Sequence, residues 1–216
     1  MSQEEVLHSS RLSGADRRKQ LIEVAIDLFS RKGFAGTTTR EIAAAAGVTE
    51  AIIFRHFQTK SGFYNAILDY IKSVEPLDEW LSEAQTLMDD RDDEGLLRLL
   101  VTKIIGVSRR HPKMERLIHM AALEGHELAA LHMQRFNMPI GMKFAEYIGL
   151  RQREGAIRPG DPFTMLLFIA GGAQFYSLHR FIHTFDPCPD QNDDTVIFDF
   201  TRYLVHGLLL PQGKLS

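Results

Sequence analysis

The chain has 216 residues, 44% of them hydrophobic, and a formal net charge of −3. That length suits two domains. One cysteine excludes an internal disulfide and fits a reducing cytoplasm, and no apolar run approaches the roughly twenty residues a bilayer demands.

Residues 1–15 carry Ser, Glu, Arg and Gly with little periodicity and are expected to form a flexible tail. The polar, acidic start does not resemble a signal peptide. Arg11 could follow a DNA groove or backbone, but a disordered tail is the simpler expectation. Next, Leu21, Val24, Ala25, Leu28 and Phe29 recur at helical spacing, with Asp16 as the expected cap and Gly33 as the expected stop.

Positions 38–57 read T-T-R-E-I-A-A-A-A-G-V-T-E-A-I-I-F-R-H-F, the spacing of two short helices joined by a glycine turn. Thr38 and Glu41 stand three apart, as a capping box requires. Ile42 and Ala46 share a face, and Ala43 is small where a second helix must pass closely. Gly47 suits the left-handed conformation that ends a helix, Val48 plugs the gap, and Thr49 caps the next helix. Ile53 then returns to the core. The Ala43, Gly47 and Ile53 spacing alone also fits an ordinary αα-corner. The polar break Gln58-Thr59-Lys60-Ser61 precedes another stripe, Phe63, Ile67, Tyr70 and Ile71. Three helices of which the last two form a helix-turn-helix make a minimal DNA-binding domain.

The chain here resembles the TetR family of bacterial transcriptional regulators. The resemblance rests on Ala25, Leu28 and Phe29, on Gly33-Phe34, and on 37–43, Thr37-Thr38-Thr39-Arg40-Glu41-Ile42-Ala43. It continues through Gly47-Val48-Thr49 and Ile53-Phe54-Arg55-His56-Phe57 to Lys60. It covers roughly residues 16–70; beyond them the likeness is one of layout. The family usually has tyrosine where this chain has Phe54, so one hydroxyl that could touch a phosphate or base is missing.

Charge is unevenly spread. Residues 11–60 carry nine Lys/Arg against five Asp/Glu, while 61–216 carry sixteen against twenty-one. A basic end on an acidic body suits a protein that meets phosphates with one end, although solvated surface charge gives the same asymmetry. The recognition helix should run from Thr49 to His56, with its first residues nearest the bases. Glu50, Ala51 and Ile52 are the exposed candidates. Glu50 could accept from a cytosine amino group or simply complement the helix dipole. Ala51 and Ile52 suit thymine methyls. Arg40 can reach a phosphate or a guanine. Thr38 and Phe54 join the candidate DNA surface, and Thr39, Thr49, Arg55, His56 and Lys60 are the expected phosphate contacts. His56 has a structural alternative, packed under the turn. So few bidentate side chains leave part of the specificity to apolar contacts and DNA shape.

The expected division is a tail at 1–15, the DNA-binding domain at 16–62 and a helical body at 63–216. Body helices are expected near 62–74, 77–89, 93–110, 112–124, 126–154, 162–185 and 194–210. Pro112 opens one helix and Gly125 closes it. Pro139 should kink the long 126–154 segment or start a second helix. Asp161-Pro162 is a cap followed by proline at the first helical position. The fold expected is therefore all-α: an N-terminal three-helix DNA-binding domain, then a helical bundle for ligand binding and dimerisation.

The last two helices are too apolar for one-sided burial. Met165 to Ala173 is an unbroken apolar or glycine run, and 196–210 is nearly as rich. A second subunit is the expected cover, and the small patch Ala170-Gly171-Gly172-Ala173 suits close helix approach. The resemblance implies the same, a homodimer through the last two helices. The interface candidates are Phe168, Gly171, Gly172, Phe175, His179, Phe200, Tyr203, Leu204 and Leu208. It also implies a small-molecule pocket in the body. Trp80, Met114, His119, Met120, Met133, Phe136, Phe168 and Tyr176 are the candidate lining, with Met88, Met138 and Phe144 nearby. Plain core packing is the alternative for most. A methionine-rich lining suits an apolar or aromatic effector. His179, His183 and Cys188 could together suggest a metal site, but no further ligand completes it. No metal, cofactor or membrane partner is expected. The partners expected are double-stranded DNA, a second copy and a small-molecule effector, in the cytoplasm. An all-helical enzyme lacks a phosphate loop, a nucleophile elbow and a metal set here. A protein-binding adaptor would have no use for Arg40, Arg55 and Lys60.

Overall fold

In the computed structural model the described residues are 13–75, 77–183 and 185–211, without the side chain of Lys60. The expected tail, Arg11 included, lies outside them up to residue 12, as does the Lys60 side chain. All secondary structure among the described residues is helical, apart from one isolated antiparallel bridge between Ile157 and Leu209. Among these residues no helix is long and apolar enough to cross a membrane. Two compact units divide the chain, the first ending at Tyr70 and the second beginning at Ile71.

The first unit holds α1 (Gly14–Lys32), α2 (Thr39–Ala45), α3 (Glu50–Phe57) and most of α4 (Lys60–Val74). The cap of α1 is Ser13, not Asp16: Ser13 accepts from the Asp16 N–H at 3.1 Å and donates to its carboxylate at 2.6 Å. Asp16 thus holds the third helical position, where a carboxylate answers the cap. The helix stops at Gly33, whose φ of 72° favours glycine. Leu21, Ala25, Leu28 and Phe29 are buried as their spacing predicts. Phe29 stacks on Phe34 at 4.3 Å, and Phe57 meets Phe63 at 4.4 Å. Phe63, Ala66, Ile67 and Leu68 complete this core. The core of the first unit thus continues into α4.

The second unit holds α5 (Leu77–Asp89), α6 (Asp93–Arg110), α7 (Pro112–Leu123), α8 (Glu127–His132), α9 (Met138–Arg153), α10 (Pro162–Ser177) and α11 (Asp193–Leu208). α6 is central, packed against α5, α10 and α11. Its core includes Trp80, Leu97, Val101, Phe144 and Ile169. Buried Glu75 accepts from Lys103 Nζ at 2.8 Å and Arg110 Nη2 at 2.9 Å. A π-helical turn, Met133–Asn137, joins α8 to α9 just before Pro139. Proline lacks an N–H and its ring crowds the carbonyl four residues back, so a wider turn relieves the clash inside a continuing helix. The helix expected at 162–185 runs as α10 to Ser177 and continues through a second π-turn, Leu178–Ile182. Asp161 caps α10, accepting from the Thr164 N–H at 2.7 Å.

His132 at the end of α8 is pushed down to about 4 by burial and by nearby His119. The unfolded chain binds this proton near 6.5 and the folded one does not. The contribution to stability is therefore complete above 6.5 and drains as pH falls toward 4. The urea midpoint is expected to fall between pH 7 and pH 5, and His132→Gln to flatten that fall. An unchanged pH profile in the variant would refute the assignment.

Candidate nucleic-acid interface and regulatory surfaces

The helix-turn-helix closes by local chemistry. Glu41 N–H donates to Thr38 Oγ1 at 3.2 Å, and Thr38 N–H returns to Glu41 Oε2 at 2.9 Å, so the expected capping box is present. The Thr38 N–H and then the Lys32 ammonium, 2.9 Å away, hold the Glu41 carboxyl below its usual range. Gly47 has φ 68°, and the Val48 N–H donates to the Ala43 carbonyl at 2.9 Å. Ile42, Ala43, Ala46 and Ile53 are buried between the helices.

Turned outward are Thr38, Arg40, Thr49, Ala51, Phe54 and Arg55, with Thr39, Glu50, Ile52 and His56 half-buried. Phe54 is 47% exposed, a large apolar ring facing solvent. Two candidates make contacts other than those expected, although Thr49 stands at the cap position foreseen for it. Glu50 accepts a short hydrogen bond from the Thr39 hydroxyl, so its carboxylate ties the start of α3 to the start of α2. Thr49 occupies the cap position of α3 without a side-chain hydrogen bond. His56 packs against Phe57, ring centroids 6.2 Å apart, and its Nε2 is buried without a protein partner among the described residues. Burial, then Arg55, Arg18 and Arg17, lower its pKa. Arg18 itself lies over the Phe57 ring at 4.8 Å. The sequence signal for Arg17 and Arg18 is the basic run Arg17-Arg18-Lys19.

In the second unit the candidate pocket residues do not converge on one enclosed space. Trp80 is buried and stacks on Phe144 at 5.7 Å. Tyr176 is buried, and its hydroxyl donates to Asp193 at 2.8 Å. Phe136 is buried, while Met114, His119 and Met120 on α7 are half-buried. His119 Nε2 lies 3.3 Å from the Gln174 side-chain nitrogen. Met133, at the start of the π-turn, and Phe168, on the outward stripe of α10, are surface residues. A slit in the core beside Asp93, Leu97 and Phe144 encloses about 20 Å³, room for little more than a water. An open groove of about 480 Å³ lies between α10, α11 and the 187–191 loop, lined by Phe175, Tyr176, Cys188, Phe200 and Tyr203.

The interface candidates separate into two faces. Phe168, Gly171, Phe175 and Tyr203 are exposed, together with Leu167 and Phe198 of the two apolar runs and with Phe163, which lies outside them. Leu204 and Leu208 are instead buried in their own subunit's core, on the inner face of α11. A Cβ on Gly172 would meet Phe200 at 2.9 Å, so this glycine serves packing within the chain. A Cβ on Gly171 would meet nothing within 4 Å. His179 and His183 stand edge to face at 4.8 Å, and His179 Nδ1 lies 2.9 Å from the Phe175 carbonyl. Among the described residues no three His, Cys, Asp or Glu side chains gather to hold a metal.

A family model described as bacterial regulatory proteins, tetR family, matches residues 21–67. The nucleoid occlusion factor SlmA of Klebsiella pneumoniae (strain 342) is 30% identical over 155 residues, 69% of this chain and 73% of the relative. Among solved structures, a transcriptional regulator from Saccharomonospora viridis in complex with choline superposes with a TM-score of 0.66 at 17% identity, over 91% of this chain and 100% of that one. AibR, in complex with isovaleryl coenzyme A and operator DNA, gives 0.63 at 23% identity, over 86% and 96%.

Proposed function

The chain belongs to the TetR family of bacterial regulatory proteins, and on that premise we propose that it is a cytoplasmic repressor. It binds a palindromic operator as a homodimer and is released by a small-molecule effector. The capped two-helix unit, with Arg40, Ala51, Phe54 and Arg55 turned to solvent, carries this reading. Ala51, Ile52 and Phe54 suit apolar contact with thymine methyls, and the surrounding threonines and arginines suit phosphates. Release requires an effector that favours the state not bound to DNA; equal affinity for both states would shift nothing. The solved regulators of this fold in complex with choline or isovaleryl coenzyme A support an effector as such, not its identity.

The test is a salt-dependent gel shift against genomic fragments, followed by sequencing of those retained. Ile52→Thr is expected to change which fragments bind. Lys60→Gln is expected to weaken all fragments alike and flatten the salt slope by about 0.9 for each phosphate left without its cation. No specific retardation at low salt would sink the regulator reading and favour a protein-binding adaptor or an enzyme.

One observation favours a second reading. The match to nucleoid occlusion factors spans 155 residues, far beyond the stretch 21–67 of the helix-turn-helix model. On that reading the body serves nucleoid occlusion and not effector sensing. Retained fragments scattered around the chromosome would favour it; fragments clustered at a few promoters would favour the repressor.

A further inference from the structure

The helical body holds two neighbouring carboxylates that its own chain treats differently. Buried Glu75 is met by Lys103 at 2.8 Å and by Arg110 and His111 at 2.9 Å. Glu115, on the first turn of α7, is close enough for Glu75 to disfavour its charge. Yet among the described residues no lysine or arginine lies within ion-pair distance of Glu115. The N-terminus of α7 supplies only partial positive charge. Burial raises the Glu115 carboxyl, a hydrogen bond from the Gln174 amide of α10 lowers it, and Glu75 adds to the rise.

The side chains around Glu115 are acceptors or neutral. His119, one turn along α7, places Nε2 3.8 Å from Glu115 Oε2 and 3.3 Å from the Gln174 amide nitrogen. That nitrogen only donates, so His119 Nε2 accepts and the ring is neutral. Burial and then His183 hold the imidazole below its ordinary range. Gln174 turns its nitrogen to both neighbours, which leaves its carbonyl oxygen as a further acceptor. The group is reachable: the Glu115 side chain is 24% exposed and that of His119 35%. Its flank is aromatic, because His132 of α8, near enough for His119 to disfavour its charge, packs on Phe136 with ring centroids 5.2 Å apart.

A half-buried carboxylate short of a cation, set among neutral acceptors, is complementary to a charged donor. An anion would meet repulsion there. A neutral alcohol would leave the charge of Glu115 unanswered.

We propose that Glu115, Gln174 and His119 form a binding site for an organic ammonium ion that carries N–H donors and an apolar or aromatic tail. The site rests on the effector reading above and gives that effector a chemical class. The ammonium donates to the Glu115 carboxylate and to the neighbouring acceptors, and its tail lies toward Phe136.

The experiment is isothermal titration calorimetry of the full-length protein at about pH 8, where an ordinary imidazole is neutral and an alkylamine is still charged. The probes are phenethylamine, phenethyl alcohol and hydrocinnamate, which share a ring and chain but end in an ammonium, a hydroxyl and a carboxylate. Phenethylamine is expected to bind at least roughly tenfold more tightly than the other two. Glu115→Gln should weaken it by roughly tenfold to a hundredfold, the loss of a hydrogen bond to a charged group, and leave phenethyl alcohol unchanged. Equal affinity for the three probes, no binding of phenethylamine, or an unchanged affinity for it in Glu115→Gln would overturn the site. Should that variant fail to fold, the comparison of the three probes on the wild-type protein decides. Anisotropy of a fluorescein-labelled duplex selected from the genome separates the site from the reading it rests on. Phenethylamine that binds and loosens the duplex supports both. Phenethylamine that binds and leaves the duplex bound supports the site and removes effector release. A protein that holds the duplex but does not bind phenethylamine overturns the site and leaves DNA binding standing.

Discussion

Asp93→Ala is expected to lower the stability of the helical body by about 3–5 kcal/mol, the cost of removing one partner of a buried ion pair. Asp93 is 8% exposed at the first turn of α6 and receives donors from two side chains of α9. Arg151 Nε donates to Oδ1 at 2.9 Å, Arg151 Nη2 to Oδ2 at 2.8 Å, and the Tyr147 hydroxyl to Oδ1 at 2.8 Å. The hydrogen bonds from Arg151 to Asp93 raise the guanidinium further above its already high range, while burial and then Asp93 push the Tyr147 hydroxyl up. Alanine would leave a buried guanidinium with Glu154 alone and a buried phenol with nothing. Asp93→Asn keeps an acceptor for one donor and should fall between. Urea unfolding followed by circular dichroism reads the difference. A loss below about 1 kcal/mol for the alanine variant would mean that water replaces the carboxylate and that the pair does not bind α6 to α9.

That pair also shows where the sequence stopped being readable. Caps and stops are local: Thr38 with Glu41, Asp161 with Thr164 and the positive φ of Gly33 and Gly47 lie within one turn of the residues that announce them. Asp93 and Arg151 are separated by 58 positions, and nothing in either neighbourhood points to the other. The Thr39–Glu50 bond illustrates the same limit inside the candidate site. Glu50 was legible as an exposed first-turn carboxylate, but a partner on another helix depends on the packing of α2 against α3. Likewise, Gly171 and Gly172 are identical neighbours in a run of small residues. Only the three-dimensional position of Phe200 tells the glycine that serves the subunit from the one that faces out. The effector site was the least legible. Methionine and aromatic side chains fill cores and line pockets with equal ease, and composition cannot choose between them.

The outward face of α10 and α11 carries the other large expectation. Phe168→Glu/Phe175→Glu should give a folded monomer whose dimer dissociates about a hundredfold more readily or beyond, a change of about 3 kcal/mol. In the single chain Phe168 is 65% exposed and Phe175 60%, beside Leu167 at 73%, Phe198 at 64% and Tyr203 at 63%. An apolar patch of this kind is rare on a monomer and marks a contact surface. Full burial of each such side chain contributes about 1.5–3 kcal/mol, and a carboxylate on the face adds a desolvation cost. Gly171, open on the same stripe, leaves room in which a facing helix would approach closely. Because both residues are solvent-facing in the subunit, the substitutions should not disturb its core. Leu204→Glu on the same helical pair should behave in the opposite way, since Leu204 is 5% exposed within its own subunit. That variant should unfold, not dissociate. Sedimentation equilibrium separates the two outcomes. A dimer reads two half-sites at once and gains from their coupling, so the folded monomer should also lose most of its affinity for a palindromic operator while keeping weak, salt-sensitive binding. A double glutamate variant that remained dimeric at micromolar concentration would place the interface elsewhere. It would then be the groove beside Phe175 and Tyr203, not a second subunit, that needed an occupant.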